Sequence, residues 1–492
     1  MPRVVIIGAG GSGIPLAARL GEAGHDVVLL ESGPASPGAG GEAWTVHGGL
    51  PDGPLTWTYR AELWPGKPWR IARGRVLGGS MAVNGAYFQR PHPDDFAAWA
   101  AVAGDEWSYA ACLPALRRLE SDLDFPDSPV HGWAGPMPVR RSGARERLTQ
   151  AFLAAAGAAG AIIEADKNAG GASGAGLLPR NALGVQRWGV DRAYWGLLRT
   201  AGVEIRAGVH VHTVRFRGGA AIGVEIDHGT AAEFVPADEV ILTAGAIETP
   251  RLLLRSGIGD SGRRDSSVQP VSARRGVGRN LSDHVAVDVP WRVRPDVAVD
   301  DLPAAWTAAW NAPAGTVASH AIELLFAALP SSVIESGDRS AGGAHKLRVT
   351  LADPSSRGSI GLDRGTVVRY GYLSDAGERE ALRDGIRVAA RVLRASEMAD
   401  VVAAADLPDW IDGRGPTEPA SAHVSTALHS CGTARMGDVA DADAVADAHG
   451  RVYGTSGLRI ADASLLPMVP SRGTALTAVM IGERIAELIA QE

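Results

Sequence analysis

The sequence predicts an α/β fold in which a Rossmann-like domain is interrupted by an inserted α+β domain built on an antiparallel sheet. A strand–turn–helix–strand pattern opens the 492-residue chain, and glycine-rich motifs recur in two later stretches. A separate region over residues 286–420 mixes strand and helix patterns of its own. These observations divide the chain into a discontinuous nucleotide-binding domain (1–145, 200–285 and 425–492) and a substrate-binding cap (146–199 and 286–424).

The N-terminal pattern justifies the first element. Val4–Ile7 is an apolar run with β-branched residues, and the turn Gly8–Gly13 follows it directly. Ile14–Ala23 is predicted to be a helix and His25–Leu30 a second strand that ends at Glu31. This arrangement is the βαβ fingerprint of dinucleotide binding with its structural context intact.

Each residue of that fingerprint has a physical role. Gly8 permits the tight turn, Gly10 lets the backbone approach a pyrophosphate, and Gly13 lets the helix pack closely on the strand. Glu31 stands at the spacing of an acid that binds a ribose hydroxyl. The free N–H groups of the helix N-terminus favour phosphate binding.

The remaining elements follow from apolar periodicity. Residues 34–70, rich in Gly, Pro and Trp, are predicted to be irregular. Strands are predicted at Val203–Arg206, Val209–Arg215, Ala221–Ile226, Glu239–Thr243, Lys346–Leu351, Ser359–Leu362 and Leu458–Ile460. Helices are predicted over residues 94–121, 146–161, 249–256, 376–396 and from about 477 to 490.

Composition excludes several classes of function. The formal charge of −7 and the lack of a Lys/Arg block disfavour a nucleic-acid partner. Two cysteines, Cys112 and Cys431, exclude a disulfide framework, and no cluster has metal-ligand spacing, so we expect no metal. With no secretory leader and no long uncharged apolar run, we expect a cytoplasmic protein without a membrane span.

A second glycine-rich element lies at Arg75–Ser80, followed by Asn84. Adjacent glycines expose backbone amides, which can approach a flat ring or a phosphate closely, although a purely structural turn is the alternative. The strand Ile241–Leu242 then ends at small residues, a pattern commoner in flavoproteins than in nicotinamide enzymes. Near the end of the chain, Ser471–Ala475 opens a terminal helix whose N-terminus could stabilise negative charge on a reduced isoalloxazine.

His429 is the candidate general base. It lies on a polar, glycine-bearing turn within the stretch Leu428–Gly437. An ordinary histidine pKa is close to operating pH, which suits proton transfer. A lone histidine is more often structural, but the surrounding motifs favour a catalytic role here.

Together these motifs resemble the glucose–methanol–choline (GMC) oxidoreductase family over essentially the whole chain. RVLGGSxxxNG, GAIETPRLLLRSGIG, GVGRNLSDH, HSCGTARMG and LRIADAS all occur in family order after the N-terminal fingerprint. The resemblance implies a fold of the FAD-linked reductase type. It also implies that the dinucleotide is FAD and that the reaction is the oxidation of an alcohol to a carbonyl, with proton removal by His429 and hydride transfer to flavin N5.

The resemblance also implies which residues hold the cofactor. Val83 replaces the histidine through which some members tether FAD, so we expect non-covalent FAD. Thr474 opens the terminal helix and is grouped with the cofactor-binding residues. The others are Gly8, Gly10, Gly13 and Glu31 for the ADP half, Gly78, Gly79, Ser80 and Asn84 along the pyrophosphate and flavin, Val211 at the adenine, and Asp462 and Ala463 near the ribityl chain.

One position departs from the family pattern. Members place a second histidine or asparagine just before the closing helix, ten residues ahead of the glutamate matched by Glu483, and that position is Gly473 here. Either a neighbour orients the substrate instead, with His423 as a weaker alternative, or the site tolerates a single catalytic partner. The neighbours considered are Ser471, Arg472 and Thr474.

Substrate and acceptor stay open at this point. A small-molecule or glycoside alcohol is expected as substrate, and oxygen, a quinone or a redox partner as acceptor. The short chain suggests the actinobacterial members associated with the peptide-derived cofactor mycofactocin. Tryptophans could wall a substrate pocket or simply fill the core: Trp44, Trp57, Trp64, Trp69, Trp306 and Trp310. A flavin-containing lyase and a catalytically lapsed flavin-binding protein are the alternative functions.

Overall fold

A computed structural model describes residues 2–35, 55–141, 146–227, 232–297, 305–332, 343–362, 365, 367–412 and 424–492. The helices in this part of the chain are α1 (Gly13–Glu22), α2 (Pro93–Ala103), α3 (Tyr109–Leu119), α4 (Arg147–Ala158), α5 (Val190–Ala193), α6 (Trp195–Thr200), α7 (Gly245–Arg255), α8 (Ala376–Arg394) and α9 (Ala475–Ala490). Short 3₁₀ turns lie at Gly79–Ala82, Asp105–Trp107, Ser396–Met398, Asp409–Asp412 and Ala463–Leu465.

The strands in the described residues fall into several sheets. In chain order they are β1 (Arg3–Ile7), β2 (Asp26–Glu31), β3 (Thr56–Glu62), β4 (Pro68–Gly74), β5 (Glu120–Asp122), β6 (Met137–Arg141), β7 (Ala175–Leu177), β8 (Pro179–Arg180), β9 (Ala182–Leu183), β10 (Gln186–Arg187), β11 (Glu204–Ala207), β12 (His210–Arg217), β13 (Ala220–Asp227), β14 (Ala232–Pro236), β15 (Glu239–Leu242), β16 (Val285–Val293), β17 (Trp306–Ala312), β18 (Ile322–Ala327), β19 (His345–Leu351), β20 (Ser359–Ile360), β21 (Val368–Arg369), β22 (Val402–Ala405), β23 (Val424–Thr426) and β24 (Leu458–Ile460).

A parallel sheet of order β11-β2-β1-β15-β24 forms the nucleotide-binding core. Residues 4–7 and 27–31 are buried, as parallel strands covered on both faces require. The helix α1 connects β1 to β2, and the late strand β24 completes the sheet beside β15. Three stretches far apart in sequence therefore share one sheet, as predicted, and its carboxyl-terminal edge is where an α/β sheet binds its ligand.

The second large sheet is antiparallel, as predicted for the inserted region. Its order is β22-β16-β19-β18-β17-β7, with β23 also paired to β16. The strands β17 and β18 are buried along their whole length. The amphipathic helix α8 covers this sheet, and its apolar residues join a core separate from that of the parallel sheet. The sheet walls the cavity described below.

The prediction that residues 34–70 are irregular is wrong where the structure describes them. The strands β3 and β4 form an antiparallel hairpin in register from Thr56–Gly74 to Glu62–Pro68. Residues 58–61 of β3 alternate between exposed and buried positions, and this pattern, with the aromatic and β-branched residues of the strand, outweighs the nearby Gly and Pro. The predicted pocket residue Trp44 lies outside the described residues.

Several predicted helix limits also need correction. The single helix predicted over residues 94–121 is two helices, because Gly104 ends α2 at a φ of +105° and Ser108 caps α3. The helix α7 begins four residues earlier than predicted, and α9 begins at Ala475 rather than near Thr477. The strand at 458–460 has the predicted limits.

Buried charge fixes the terminal helix α9 against its neighbours. The Glu483 carboxylate, with a fully buried side chain, accepts hydrogen bonds from Arg19 Nε at 2.9 Å and Arg118 Nε at 2.6 Å. It also accepts one from the Tyr194 hydroxyl at 2.7 Å. Because these partners lie on α1, α3 and the start of α6, a single carboxylate sets the position of α9.

The predicted domain limits stay a prediction. The strand β7 lies within residues 146–199 and pairs with β17 of the antiparallel sheet. The hairpin strand β3 lies within residues 1–145, yet it pairs in parallel with β21. The two regions are thus joined by strand pairing near the site.

Candidate active site

The first glycine turn allows close packing that no side chain would permit. Gly8 has a φ of +107°, and a Cβ there would lie 2.6 Å from the Thr243 carbonyl oxygen. A Cβ on Gly13 would overlap the Gly8 carbonyl oxygen. The turn therefore seats α1 directly against the end of β1, with the first helical N–H groups at the edge of the sheet.

The second glycine element contacts the first. The Gly78 N–H donates to the Ala9 carbonyl oxygen at 2.8 Å. Gly79 has a φ of +54°, and a Cβ on it would lie 2.9 Å from Gly10 Cα. Two backbone turns about 70 residues apart in sequence thus form one cradle whose shape depends on missing side chains.

A cleft runs along this cradle at the carboxyl-terminal edge of the parallel sheet. Gly13 and Gly78 pack behind its wall rather than lining it, and His429 lines a neighbouring cavity. The other sequence-predicted residues line the cleft itself: Gly8, Gly10, Glu31, Gly79, Ser80, Asn84, Val211, Asp462, Ala463 and Thr474. Trp57, one of the tryptophans considered as pocket walls, also lines the cleft.

Glu31 ends β2 with its carboxylate held by the backbone. It accepts hydrogen bonds from the Ala9 N–H at 3.1 Å and the Gly33 N–H at 2.8 Å. Burial raises the pKa of Glu31, and the backbone hydrogen bonds oppose that rise. The carboxylate is therefore fixed at the cleft wall with lone pairs left for further donors.

Asp462 is a buried carboxylate at the cleft floor. It accepts hydrogen bonds from the Gly245 N–H at 2.8 Å, the Thr249 hydroxyl at 2.6 Å and the Ser464 N–H at 2.8 Å. Burial raises the pKa of Asp462, and these donors counter the effect. Asp462 ties the start of α7 to the segment after β24, so its structural role is visible alongside its place in the cleft.

Ser80 and Asn84 shape the wall at the other end. The Ser80 hydroxyl accepts a hydrogen bond from the Gly74 N–H at 3.1 Å. Asn84 Oδ1 accepts one from the Ala86 N–H at 3.0 Å and another from Arg187. These bonds order the turn that leads to Tyr87, which sequence reasoning did not single out.

A second cavity of about 660 Å³ opens beside the cleft. Its apolar walls include Trp69, Ile71, Trp306 and Leu325, while Trp310 is core. The two openings meet, because six residues line both of them. These residues are Arg73, Ser80, Asn84, Leu428, Thr474 and Ala475.

One wall of this second cavity is charged. Arg348 binds the Asp288 carboxylate through two hydrogen bonds of 2.7 and 2.9 Å, and Lys346 lies 3.5 Å from the same group. Burial alone would raise the pKa of Asp288, but the two cations hold it at about 2. Burial raises the pKa of Glu323, whose carboxylate accepts a hydrogen bond from Asn311 at 3.0 Å.

His429 lies at the meeting point of the two openings. Its backbone N–H donates to Asp283 Oδ1 at 2.9 Å, and the preceding Leu428 has a φ of +63°. The Asp283 carboxylate also accepts from the Ser430 hydroxyl at 2.6 Å. Burial raises the pKa of Asp283 to about 6. This carboxylate therefore holds the turn rather than the imidazole ring.

A second imidazole determines the state of His429. His284 Nε2 lies 3.1 Å from the Ala352 carbonyl oxygen, which only accepts, so His284 donates there. His284 Nδ1 is then an acceptor, and His429 Nδ1, 2.9 Å away, donates to it. His429 Nε2 keeps its lone pair and accepts from the Tyr87 hydroxyl at 2.9 Å.

Burial keeps both imidazoles neutral. It lowers the pKa of His284 to about 4. It also lowers the pKa of His429 well below its ordinary value, and the nearby His284, Arg73 and Arg348 lower it further. The Arg73 guanidinium donates to the Leu428 carbonyl oxygen at 2.7 Å, which places that charge beside the turn.

The structure fills the place of the absent side chain at Gly473. A Cβ on Gly473 would overlap Tyr87 Cε2 and lie 3.1 Å from the Tyr87 hydroxyl oxygen. Of the proposed substitutes, Ser471 binds Asp95, and Arg472 binds Glu164 in the interior. Thr474 lines both openings. His423 lies outside the described residues.

Sequence reasoning missed Tyr87 and His284. His284 closes the GVGRNLSDH motif, which was used only for the resemblance, and Tyr87 lies two residues after Gly85 of the NG pair. Of the two, only His284 lies within a quoted motif. Neither residue could be paired with His429 from spacing, because they lie 342 and 145 positions away in sequence.

Within the described residues, Glu120, Asp122 and His131 are the group whose ligand atoms converge as a metal site would require. Arg90 binds Glu120 at 2.6 Å, and Arg141 binds Asp122 at 2.9 Å. These guanidinium groups supply the positive charge that the carboxylates need. The cluster therefore works as an ion-pair network, and the expected absence of a metal stays a prediction.

Comparison with known proteins gives the family. Residues 9–286 match the N-terminal part, and residues 349–482 the C-terminal part, of the GMC oxidoreductase family. The chain belongs to the GMC oxidoreductase family. This oxidoreductase therefore binds FAD, and the predicted fold class and cofactor are confirmed.

Relatives match over nearly the whole oxidoreductase. It is 34% identical to an uncharacterized GMC-type oxidoreductase of Rhodococcus erythropolis, covering 99% of this chain and 97% of the relative. It is 31% identical to a 5-(hydroxymethyl)furfural oxidase of Methylovorus sp., covering 99% and 98%. Pyridoxine 4-oxidase from Mesorbium loti superposes with a TM-score of 0.88 at 27% identity, covering 100% of both chains.

These relatives support flavin-dependent oxidation of alcohols in general. The predicted place among mycofactocin-associated members stays a prediction. In the part of the chain that the structure describes, no helix has the length and apolar character needed to cross a membrane.

Proposed function

We propose that this oxidoreductase oxidises the CH–OH group of a small alcohol to a carbonyl, with FAD held without a covalent bond. The observation that carries the proposal is the junction of the two openings. Six residues line both, and the neutral His429 lies in the second opening beside them. An alcohol in the second cavity would therefore reach both the cofactor and a base.

The cleft fits FAD by its shape and its donors. The approach of Gly79 to Gly10 leaves no room for a side chain on Gly79, where a pyrophosphate would approach the backbone. Glu31 and Val211 would hold the adenosine half, and Ser80, Asn84, Asp462 and Ala463 the ribityl and ring portions. Val83 has no group able to attach to a flavin. When bound, FAD supplies the acceptor, at N5, for the hydride of the alcohol carbon.

His429 would remove the hydroxyl proton. Its Nε2 carries the lone pair, because Nδ1 donates to His284. Its lowered pKa keeps that lone pair available across the neutral range. General-base action of this kind contributes about 10²–10⁴-fold in rate.

The N-terminus of α9 would favour negative charge near the cofactor. Thr474 and Ala475, which begin this helix, line both openings. The free N–H groups and the positive end of the helix dipole stabilise an anion by about 0.3–1 kcal/mol at an exposed site, and by more when water is excluded.

The cavity walls favour an alcohol that carries a flat ring and a polar substituent. Trp69 and Trp306 supply aromatic surface, and Glu323 and the Asp288–Arg348 pair supply polar groups on another wall. Two of the named relatives are, by name, oxidases of ring-bearing alcohols, hydroxymethylfurfural and pyridoxine. We therefore expect such an alcohol to be oxidised faster than methanol.

Anaerobic flavin reduction tests the proposal. Purified protein is mixed with 5-hydroxymethylfurfural, pyridoxine, benzyl alcohol, choline, methanol, glucose or an alkyl glucoside, and loss of flavin absorbance is followed. His429→Ala should slow reduction by roughly 10²–10⁴-fold while leaving FAD bound. Normal reduction in that variant would refute the role of His429. Reoxidation with air or a quinone then identifies the acceptor.

Two further outcomes would contradict the proposal. A colourless protein that takes up no FAD would exclude it. Flavin that no alcohol bleaches would favour a lyase or a catalytically lapsed protein. Acid precipitation tests the non-covalent cofactor, since all of the yellow colour should then leave the protein with the supernatant.

A further inference from the structure

Tyr87 occupies the space that Gly473 leaves open. A side chain at position 473 would collide with the tyrosine ring, since its Cβ would overlap Cε2 and lie 3.1 Å from Cζ. The Asn84–Ala86 turn, closed by a hydrogen bond from the Ala86 N–H to Asn84 Oδ1, comes directly before Tyr87, and Ala86 has a φ of +55°. The missing side chain and the tyrosine are therefore two halves of one packing arrangement.

The Tyr87 hydroxyl covers the lone pair of the base. It lies 2.9 Å from His429 Nε2, and the proton positions along the chain from Ala352 to His284 to His429 make Nε2 the acceptor. Because a neutral imidazole nitrogen has one lone pair, a substrate hydroxyl cannot bind Nε2 while Tyr87 does. Tyr87 lines the second cavity, which is the space that a substrate would enter.

We propose that Tyr87 substitutes for the absent side chain at position 473 and relays the substrate proton to His429. This inference rests on the proposed function. The alcohol O–H bond breaks as its proton joins Tyr87 Oη, and the former Tyr87 proton bonds to His429 Nε2. The carbon-bound hydride leaves to FAD in the same oxidation, so the phenol is regenerated and the two electrons leave with the hydride.

The environment suits a relay rather than a phenolate base. Burial raises the pKa of Tyr87, and the negative charge of Glu323 raises it further, so the phenol stays protonated. Ser471 and Arg472 are committed to Asp95 and Glu164 and do not reach the cavity. Tyr87 is thus the hydroxyl placed to meet both substrate and base.

Tyr87→Phe tests the relay, with Tyr453→Phe as the matched control, because the Tyr453 hydroxyl donates to the Gly437 carbonyl oxygen away from both openings. With whichever of the seven alcohols reduces wild-type flavin fastest, Tyr87→Phe should reduce flavin about 10²-fold more slowly, at unchanged FAD content. The control should match wild type. A Tyr87→Phe rate within twofold of the control would overturn the proposal.

A proton inventory separates a relay from a structural role. Two protons move together in the relay, so the wild-type reduction rate should curve downward as the deuterium fraction of the solvent rises. Tyr87→Phe removes one of the two, and its residual rate should fall linearly. A linear plot for the wild type would contradict the relay even if Tyr87→Phe is slow.

A measurement without turnover tests the contact itself. In [¹⁵N]histidine-labelled holoenzyme, the His429 Nε2 resonance, assigned by its loss in His429→Ala, should move downfield in Tyr87→Phe and stay in place in Tyr453→Phe. An unmoved resonance would show that the hydroxyl does not bind the ring, and the inference would fail.

Gly473→Ala tests the contact between Tyr87 and His429 by changing the residue that packs against the tyrosine ring. Its new methyl group would displace the Tyr87 ring, so flavin reduction should slow about as much as in Tyr87→Phe, and the double variant should be no slower than either single one. Additive losses would overturn the coupling.

If His429→Ala also reduces flavin normally, the proposed function fails. If only His429→Ala is slow, the relay alone fails.

Discussion

At the residue scale, the main feature of the site is a candidate base, His429, that its surroundings keep neutral. Burial is the largest cause of the lowered pKa of His429. The groups that lower this pKa further are cations or can become cations: His284, Arg73 and Arg348. The buried Asp283 carboxylate binds the backbone N–H of His429 instead of its ring. Protonating the ring therefore lacks the compensation that a carboxylate partner would give.

This arrangement predicts that the rate of flavin reduction changes little with pH across the neutral range. Because the pKa of His429 is lowered, its ring stays neutral below the ordinary value of 6.5, and proton removal should lose efficiency only well below that pH. Flavin reduction measured anaerobically from about pH 5 to about pH 9 should be constant above about pH 6.5. A fall centred on 6.5 would contradict the prediction. Asp283→Asn tests whether a fall near pH 6 belongs to Asp283, whose pKa is about 6.

The glycine cradle gives a second residue-scale prediction. Gly79→Ala would place a methyl group 2.9 Å from Gly10 Cα and separate the two turns, so FAD per protein should fall severalfold. Gly66→Ala is the matched control, because Gly66 also has a positive φ, +86°, but has no atom within 4 Å of its added Cβ. The ratio of flavin to protein absorbance is the measurement. Equal losses in both variants would mean that backbone strain, rather than the contact, matters.

At the element scale, α9 links the interior to the site. Its first residues line both openings, and its buried Glu483 is held by Arg19, Arg118 and Tyr194. An error in its position would move Thr474 relative to the cofactor. We therefore expect the anchor of this helix to affect the site as well as the fold.

Glu483→Gln should show both effects. Losing the carboxylate leaves Arg19 and Arg118 without their buried partner, which costs about 3–5 kcal/mol in comparable sites. Apparent melting temperature and FAD content should both fall. Glu487→Gln removes a more exposed partner of Arg484 and should change neither by much. If Glu483→Gln lowers the melting temperature but leaves the FAD content unchanged, Glu483 stabilises the fold without affecting the cofactor site.

At the scale of the whole molecule, an ion-pair network away from the site couples stability to pH. Burial alone would lower the pKa of His131, but hydrogen bonds to Asp166 and Glu120 raise it to about 9. Burial would raise the pKa of Asp166, but its bond to His131 and the charge of Arg141 lower it to about 2. The network joins β5 and β6 to the segment before β7.

The signs of these shifts define a pH window. The raised pKa of His131 stabilises the fold fully below 6.5, and that contribution is lost as pH rises through about 9. The lowered pKa of Asp166 stabilises it above 3.8 and is lost as pH falls through about 2. His131→Gln should therefore lower the apparent melting temperature by a few degrees near pH 6, with the difference shrinking toward pH 9. The exposed His212→Gln is the control, and a pH-independent difference would contradict the prediction.

The sequence by itself determined the nucleotide-binding core, the inserted antiparallel sheet and the candidate base. The reason is that these features depend on residues close together in sequence. Glycines such as Gly8 and Gly13 allow close backbone packing within one turn, and apolar periodicity indicates each strand or helix. The hairpin β3–β4 was missed for a local reason too, since the nearby Gly and Pro were given more weight than the aromatic and β-branched residues of β3.

Only the tertiary structure decided which residues surround the candidate base. Tyr87, His284 and His429 come from three segments, and the proton positions along them depend on the Ala352 carbonyl of a fourth. The sequence shows an absent side chain at Gly473, but the tyrosine that fills the space is revealed only by packing. Hydrogen bonds between distant segments depend on how the sheets and α9 are arranged in space, and no spacing along the chain encodes that arrangement.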